Sequence, residues 1–94
     1  MWNRPTLKQL EDLPKLYETT NVKPEDKIIH MHFWIFQSDW FIAEVDPKTG
    51  LLYGFVILNG DTENAEWGYI PLEDLIRINV KGFHHYLVNR PFIR

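Results

Sequence analysis

The sequence predicts an α+β domain: a curved antiparallel sheet of about five strands, with two short helical segments packed on one face. Three observations predict it. Leucines recur at helical spacing near the N-terminus. The chain then alternates with period two from about residue 27 to residue 58. Within that run DPKTG, residues 46–50, joins two alternating segments through a tight turn.

The helical stretch is TLKQLEDLPKLYE, residues 6–18. Thr6 and Gln9 have capping-box spacing, and Leu7, Leu10, Leu13, Leu16 and Tyr17 fall on one stripe. Pro14 lacks an N–H and interrupts the helix, so two pieces are expected, over 7–12 and 14–18. A polar loop follows over 19–26. From Lys27 to Phe36 the period is two. Ile29, Met31, Phe33 and Ile35 face one way, and Ile28, His30, His32, Trp34 and Phe36 the other. The first set is uniformly apolar and is expected to face the helices. Gln37 and Ser38 form a turn. Trp40 to Val45 is a second strand, with Trp40, Ile42 and Glu44 opposed to Phe41, Ala43 and Val45.

In DPKTG, Asp46 leads, Pro47 presets φ and Gly50 supplies positive φ, which makes a hairpin. Residues 51–58 form the third strand, where Gly54 signals a bulge or a close approach. NGDTENA is a loop, and residues 66–70 are a short fourth strand. Pro71 opens a helix whose first turn carries Glu73 and Asp74 and whose end carries Arg77. Residues 83–88 form the last strand.

Composition narrows the function. Ninety-four residues make a single domain, 1–94. A net charge of -3 argues against direct nucleic-acid binding by phosphate neutralisation. With no cysteine, disulfides, thiolate metal sites and Cys nucleophiles are excluded. No secretory h-region follows Met1 and no apolar run approaches a membrane span, so a cytoplasmic protein is expected. No phosphate-binding glycine pattern occurs, and no cofactor is called for. The four Trp, four Tyr and six Phe exceed what a small core needs.

Several constellations compete. His30 and His32 project from one strand face, a spacing that suits two metal ligands, with Glu44 as a third and His84 or His85 as a fourth. The structural reading is a half-exposed strand that shows two imidazoles. Glu44, Asp46 and Glu66 offer acid–base chemistry, but Asp46 is the first residue of a turn and Ser38 has no visible base. Asp61, Glu63, Glu66, Glu73 and Asp74 form an acidic run that could act as a decoy for a basic defence protein. The structural reading is a solvated loop and a helix start that favours acids. Trp34, Phe36, Trp40, Trp67 and Tyr69 are the candidate interaction surface. Two short helices cannot cover both faces of a sheet, so a protein partner or a second copy is expected to shield the rest.

Trp40, Glu44, Asp46, Pro47, Tyr53, Gly54, Phe55, Glu66, Trp67, Gly68 and Tyr69 together form a further pattern. A Trp-containing strand ends in Glu-x-Asp-Pro. An aromatic-Gly-aromatic strand follows, then Glu-Trp-Gly-Tyr leading into a helix. Over residues 7–76 this resembles a family of short bacterial and archaeal proteins classed as a domain of unknown function. That family is typically met on plasmids, phages and integrating elements, beside conjugation or anti-restriction genes. The resemblance implies a mobile-element setting and supplies no mechanism. The C-terminal KGFHHYLVNRPFIR departs from the charged strand that often ends family members. The expectation is a small non-catalytic binding protein with an aromatic sheet surface. A metal-dependent enzyme using His30, His32 and Glu44 is the alternative, and an acidic decoy the third reading.

Overall fold

The computed structural model describes residues 4–78, 80 and 82–91, and for 83–91 the backbone alone. Its architecture is α+β, with an open antiparallel sheet and two short helices. Helix α1 is Leu7–Glu11, strands β1 to β4 are Ile28–Ile35, Ser38–Asp46, Leu51–Ile57 and Glu66–Pro71, helix α2 is Leu72–Arg77, and β5 is Gly82–Pro91. The strand order is β4-β3-β2-β1-β5. Consecutive hairpins build β1 to β4, and α2 carries the chain from one edge of the sheet to the other.

Thr6 and Gln9 close the capping box around α1. The second helical piece expected over 14–18 does not form. Pro14 cannot continue the helix, and its carbonyl instead accepts the Val45 N–H at 2.9 Å, while Lys15 makes a parallel bridge to Val45. The chain thus takes the place beside β2 that β1 has not yet reached. Leu10 and Leu13 enter the core, whereas Leu7 and Tyr17 are exposed.

Both helices cover the same sheet face. Leu10, Leu13 and Leu75 pack with Met31, Phe33, Trp40, Ile42, Val45 and Leu52 in one buried cluster. Ile35 packs against it, but Ile29 does not join Met31 and Phe33 as the alternation predicts. Ile29 belongs to a second cluster with Phe55, beside a register irregularity between Ile29 and Met31.

The hairpin turns follow from residue chemistry. At DPKTG the Gly50 N–H returns to the Asp46 carbonyl at 2.7 Å, with Gly50 at φ +78°. The Asp46 carboxyl is held below its ordinary pKa, chiefly by the Lys48 N–H and then by the Thr49 hydroxyl. The β1–β2 turn is Phe36–Gln37, since Ile35 pairs with Ser38.

Gly54 marks a bulge in the facing strand. Ile42 pairs with Gly54 and Glu44 with Tyr53, so Ala43 has no opposite residue. A Cβ on Gly54 would lie 2.2 Å from the Phe41 carbonyl oxygen. The extra residue reverses the alternation. Val45, not Glu44, shares the helix-side face with Trp40 and Ile42.

These two glycines generate a contrast. Gly54→Ala is expected to cost about 3 kcal/mol through backbone overlap. Gly68→Ala, where a Cβ meets nothing within 4 Å, should gain about 0.5 kcal/mol from the stiffer unfolded chain. Urea midpoints of the two variants measure both.

Candidate functional site

The helix-free face of the sheet is lined with rings. The Trp34 and His32 rings lie 5.4 Å apart, and His32 stacks on Phe41 at 4.3 Å. Phe41 pairs with Phe55, whose ring makes a T-shaped contact with Trp67 at 5.7 Å. Trp67 stacks with Tyr53 at 5.6 Å, Tyr53 meets Tyr69 at 4.9 Å, and Tyr69 meets Tyr17 at 6.4 Å. The row therefore crosses β1, β2, β3 and β4 and ends on the loop after α1. Its offset and tilted geometries are those that aromatic quadrupoles favour.

At the β4 end the row opens into a cleft of about 270 Å³ among Tyr17, Val22, Tyr53 and Tyr69. Lys27 and Glu44 line it, and both are buried, at 5% and 3% exposure. Glu44 accepts the Tyr17 N–H at 2.8 Å and the Thr19 N–H at 3.1 Å, and it also accepts the Thr19 hydroxyl. Lys27 Nζ donates to the Thr19 carbonyl at 2.6 Å and to Thr19 Oγ1 at 2.8 Å. It lies 3.9 Å from Glu44 and 5.9 Å from the centre of the Tyr53 ring. Burying two charges costs several kcal/mol per ion, and these bonds offset that cost. Burial, then the Glu44 carboxylate, pushes the Tyr53 hydroxyl above its ordinary pKa. The hydrogen bond with Tyr17 does the same for Tyr69, followed by desolvation.

The structure sorts the sequence-derived residues. Trp34, Trp67 and Tyr69 share the helix-free face. Trp40 is not part of that surface. It is 6% exposed in the core under the helices, because it lies one residue out of phase with Phe41. Phe36 leaves the row as well, standing 87% exposed on the turn with φ +50°.

The metal set His30, His32 and Glu44 is not assembled. The bulge carries Glu44 to Lys27 and the loop amides, while His32 Nε2 lies 2.7 Å from Asp39 Oδ1. Among the described residues no group of three His, Asp or Glu side chains could hold a metal ion. His84 and His85 are opposite His32 and Met31 in register, and their side chains lie outside the described residues. Three other carboxylates have local partners. Asp46 caps its turn, Asp61 accepts Asn64 Nδ2 at 2.7 Å, and Asp74 pairs with Arg77 at 3.2 Å. Ser38 Oγ accepts the Asn59 N–H at 2.9 Å.

Sequence reasoning missed Lys27, Thr19, Tyr17 and Tyr53. Gly54 was the available signal. A bulge opposite it reverses the phase of Glu44 and sends that carboxylate toward the loop.

Two outcomes test the cleft. Glu44→Leu leaves Lys27 buried without its counter-charge and should cost about 3–5 kcal/mol. Adding Lys27→Met should recover part of this, the remainder belonging to the Tyr17 and Thr19 amides. Urea unfolding of the double-mutant cycle measures the split. A raised phenol pKa stabilises the fold fully below the unfolded value near pH 10 and ceases to do so as pH rises through the folded value. The urea midpoint is therefore expected to fall in that alkaline window, and less so in Tyr53→Phe.

Among the described residues no helix is long and apolar enough to cross a membrane. Compared with known proteins, the chain matches no family model, no curated protein and no solved structure.

Proposed function

We propose that the protein is a non-catalytic binding module that engages a protein partner through its helix-free aromatic face. One observation carries this reading. The ring row from Trp34 to Tyr69 lies on the face that neither helix covers, and Tyr69 is 51% exposed at its end. Trp and Tyr anchor interfaces because they bring large contact area with few rotamers to fix.

Phe36 supports the same reading from a second position. A bulky residue with positive φ costs about 1–3 kcal/mol, and here the ring gains no burial in return. The resemblance to mobile-element proteins fits a small cytoplasmic module of this kind.

The test uses untagged protein and a displayed library of random peptides. Selected peptides should bind with Kd values that rise about tenfold or more in Trp67→Ala and Trp34→Ala, with the fold intact by circular dichroism. Phe36→Asn should raise stability by about 1 kcal/mol while weakening binding, since Asn tolerates positive φ. Binders indifferent to all three substitutions would overturn the reading. A native mass spectrum showing a dimer that dissociates in Trp67→Ala would identify a second copy as the partner.

A further inference from the structure

Strand β4 ends the sheet order, and its outer edge pairs with no other strand among the described residues. It is followed directly by α2, which packs back on the helix side. A sheet edge carries a row of backbone donors and acceptors, and proteins usually blunt it with Lys, Pro or a bulge. The β4 sequence Glu-Trp-Gly-Tyr-Ile-Pro has no Lys, and its only Pro is the last residue. The β3–β4 register runs without a shift from Leu51–Pro71 to Val56–Glu66, so this edge is regular.

Beside the edge lies a groove of about 390 Å³. Its origin is a missing layer. Gly54 and Gly68 face each other between the Leu52–Ile70 and Val56–Glu66 pairs, and neither has a side chain. A Cβ built on Gly68 meets no atom within 4 Å. Val56, Leu58 and Ile70 give the groove apolar walls, and Asp61 and Glu66 give it carboxylates. Among the described residues no Lys or Arg lines it.

We infer that β4 accepts an extended basic peptide as an added strand, with one apolar side chain seated over Gly68 and its cationic neighbours beside Asp61 and Glu66. Strand addition takes affinity from main-chain bonds and specificity from pockets at alternate positions. The open edge supplies the first and the notch the second. The sign of the charge selects the partner, because a basic segment meets two carboxylates there while an acidic one is repelled. The groove shares Trp67 and Tyr69 with the aromatic row, but Trp34, at the far end of that row, lies on β1, three strands from β4, and separates the two surfaces.

The probe is a capped peptide of sequence Lys-Thr-Val-Thr-Lys-Thr-Val, titrated into wild-type protein and followed by backbone amide shifts and hydrogen exchange. Binding is expected to slow exchange along β4 and to weaken as salt rises. The same peptide N-methylated at alternate residues, made in both registers, should fail in the register that blocks the ladder. Gly68→Leu should raise Kd about tenfold by filling the notch, whereas Gly68→Ala and Trp34→Ala should leave it within twofold. The inference is overturned if β4 amides do not respond or if both N-methylated peptides bind as well as the parent. A second copy already paired along β4 would also overturn it. Loss of peptide binding in Trp34→Ala would move the peptide to the aromatic face, sinking this inference while sparing the binding reading. The N-methylated peptides need no variant, so the test stands even if Gly68→Leu folds poorly.

Discussion

The rest of the structure depends on one constraint, the close approach of Gly54 to the Phe41 carbonyl. No side chain fits there, so β2 buckles and Ala43 becomes the extra residue. Everything after Ala43 changes face. Val45 turns under the helices, where Leu13 and Leu52 share its cluster. Glu44 turns to the helix-free face, where a carboxylate must find donors. It finds them in the loop after α1, and that loop is thereby pinned to the sheet. A strictly alternating β2 would have driven Glu44 into the apolar cluster, at a cost that no neighbour there offsets.

The same buckle explains which parts of the chain were legible in its sequence. The capping box, the DPKTG hairpin, the apolar stripe of Met31, Phe33 and Ile35 and the helix after Pro71 all rest on local chemistry, and all are present. Trp40 was legible as an aromatic but not as a core residue, because its face follows from strand phase and not from residue type. Glu44 reads as a possible metal ligand because it lies on the strand next to His30 and His32, and the sequence leaves the strand pairing open. Lys27 reads as a flanking charge in sequence. Only the pairing of Pro14 and Lys15 with Val45 brings Thr19 over it and makes it buried. Contacts between residues 17–27 and residue 44 are non-local, and no window of sequence contains them.

Two faces and one edge then divide the work. The helix side is packed by α1 and α2 over the Met31, Phe33 and Leu52 cluster and supplies stability. The helix-free side keeps its rings partly exposed from Trp34 to Tyr69, with Phe55 alone among the row's rings buried at 4% exposure. Among the described residues no strand pairs with the outer edge of β4, and the Gly68 notch lies beside two carboxylates. Of the two glycines in that notch, one is imposed by the bulge. At Gly68 a Cβ meets no described atom within 4 Å. A β-strand gains stability from almost any residue in place of glycine. The empty position is thus a cost to the fold that makes sense when another chain fills it.

Backbone strain points the same way. Tyr17, Phe36 and Asn59 are the described non-glycine residues with positive φ, at 73°, 50° and 53°. None of the three lies in a helix or a strand. Tyr17 forms one wall of the cleft, and its strain is held by its own N–H on Glu44. Phe36 holds a ring in solvent at the β1–β2 turn. Asn59 turns the chain toward Asp61 and the β4 groove, anchored through its N–H on Ser38. The β3–β4 loop is tied to the Phe36 turn by the Gly60 N–H on the Gln37 carbonyl at 2.8 Å. Strain held by specific hydrogen bonds persists only where the surrounding fold over-determines it. In this chain the bulge-positioned Glu44 and the buried Ser38 provide that determination. The strained residues border the surfaces proposed to bind, so the fold holds those surfaces in shape before any partner arrives, which lowers the ordering cost of binding.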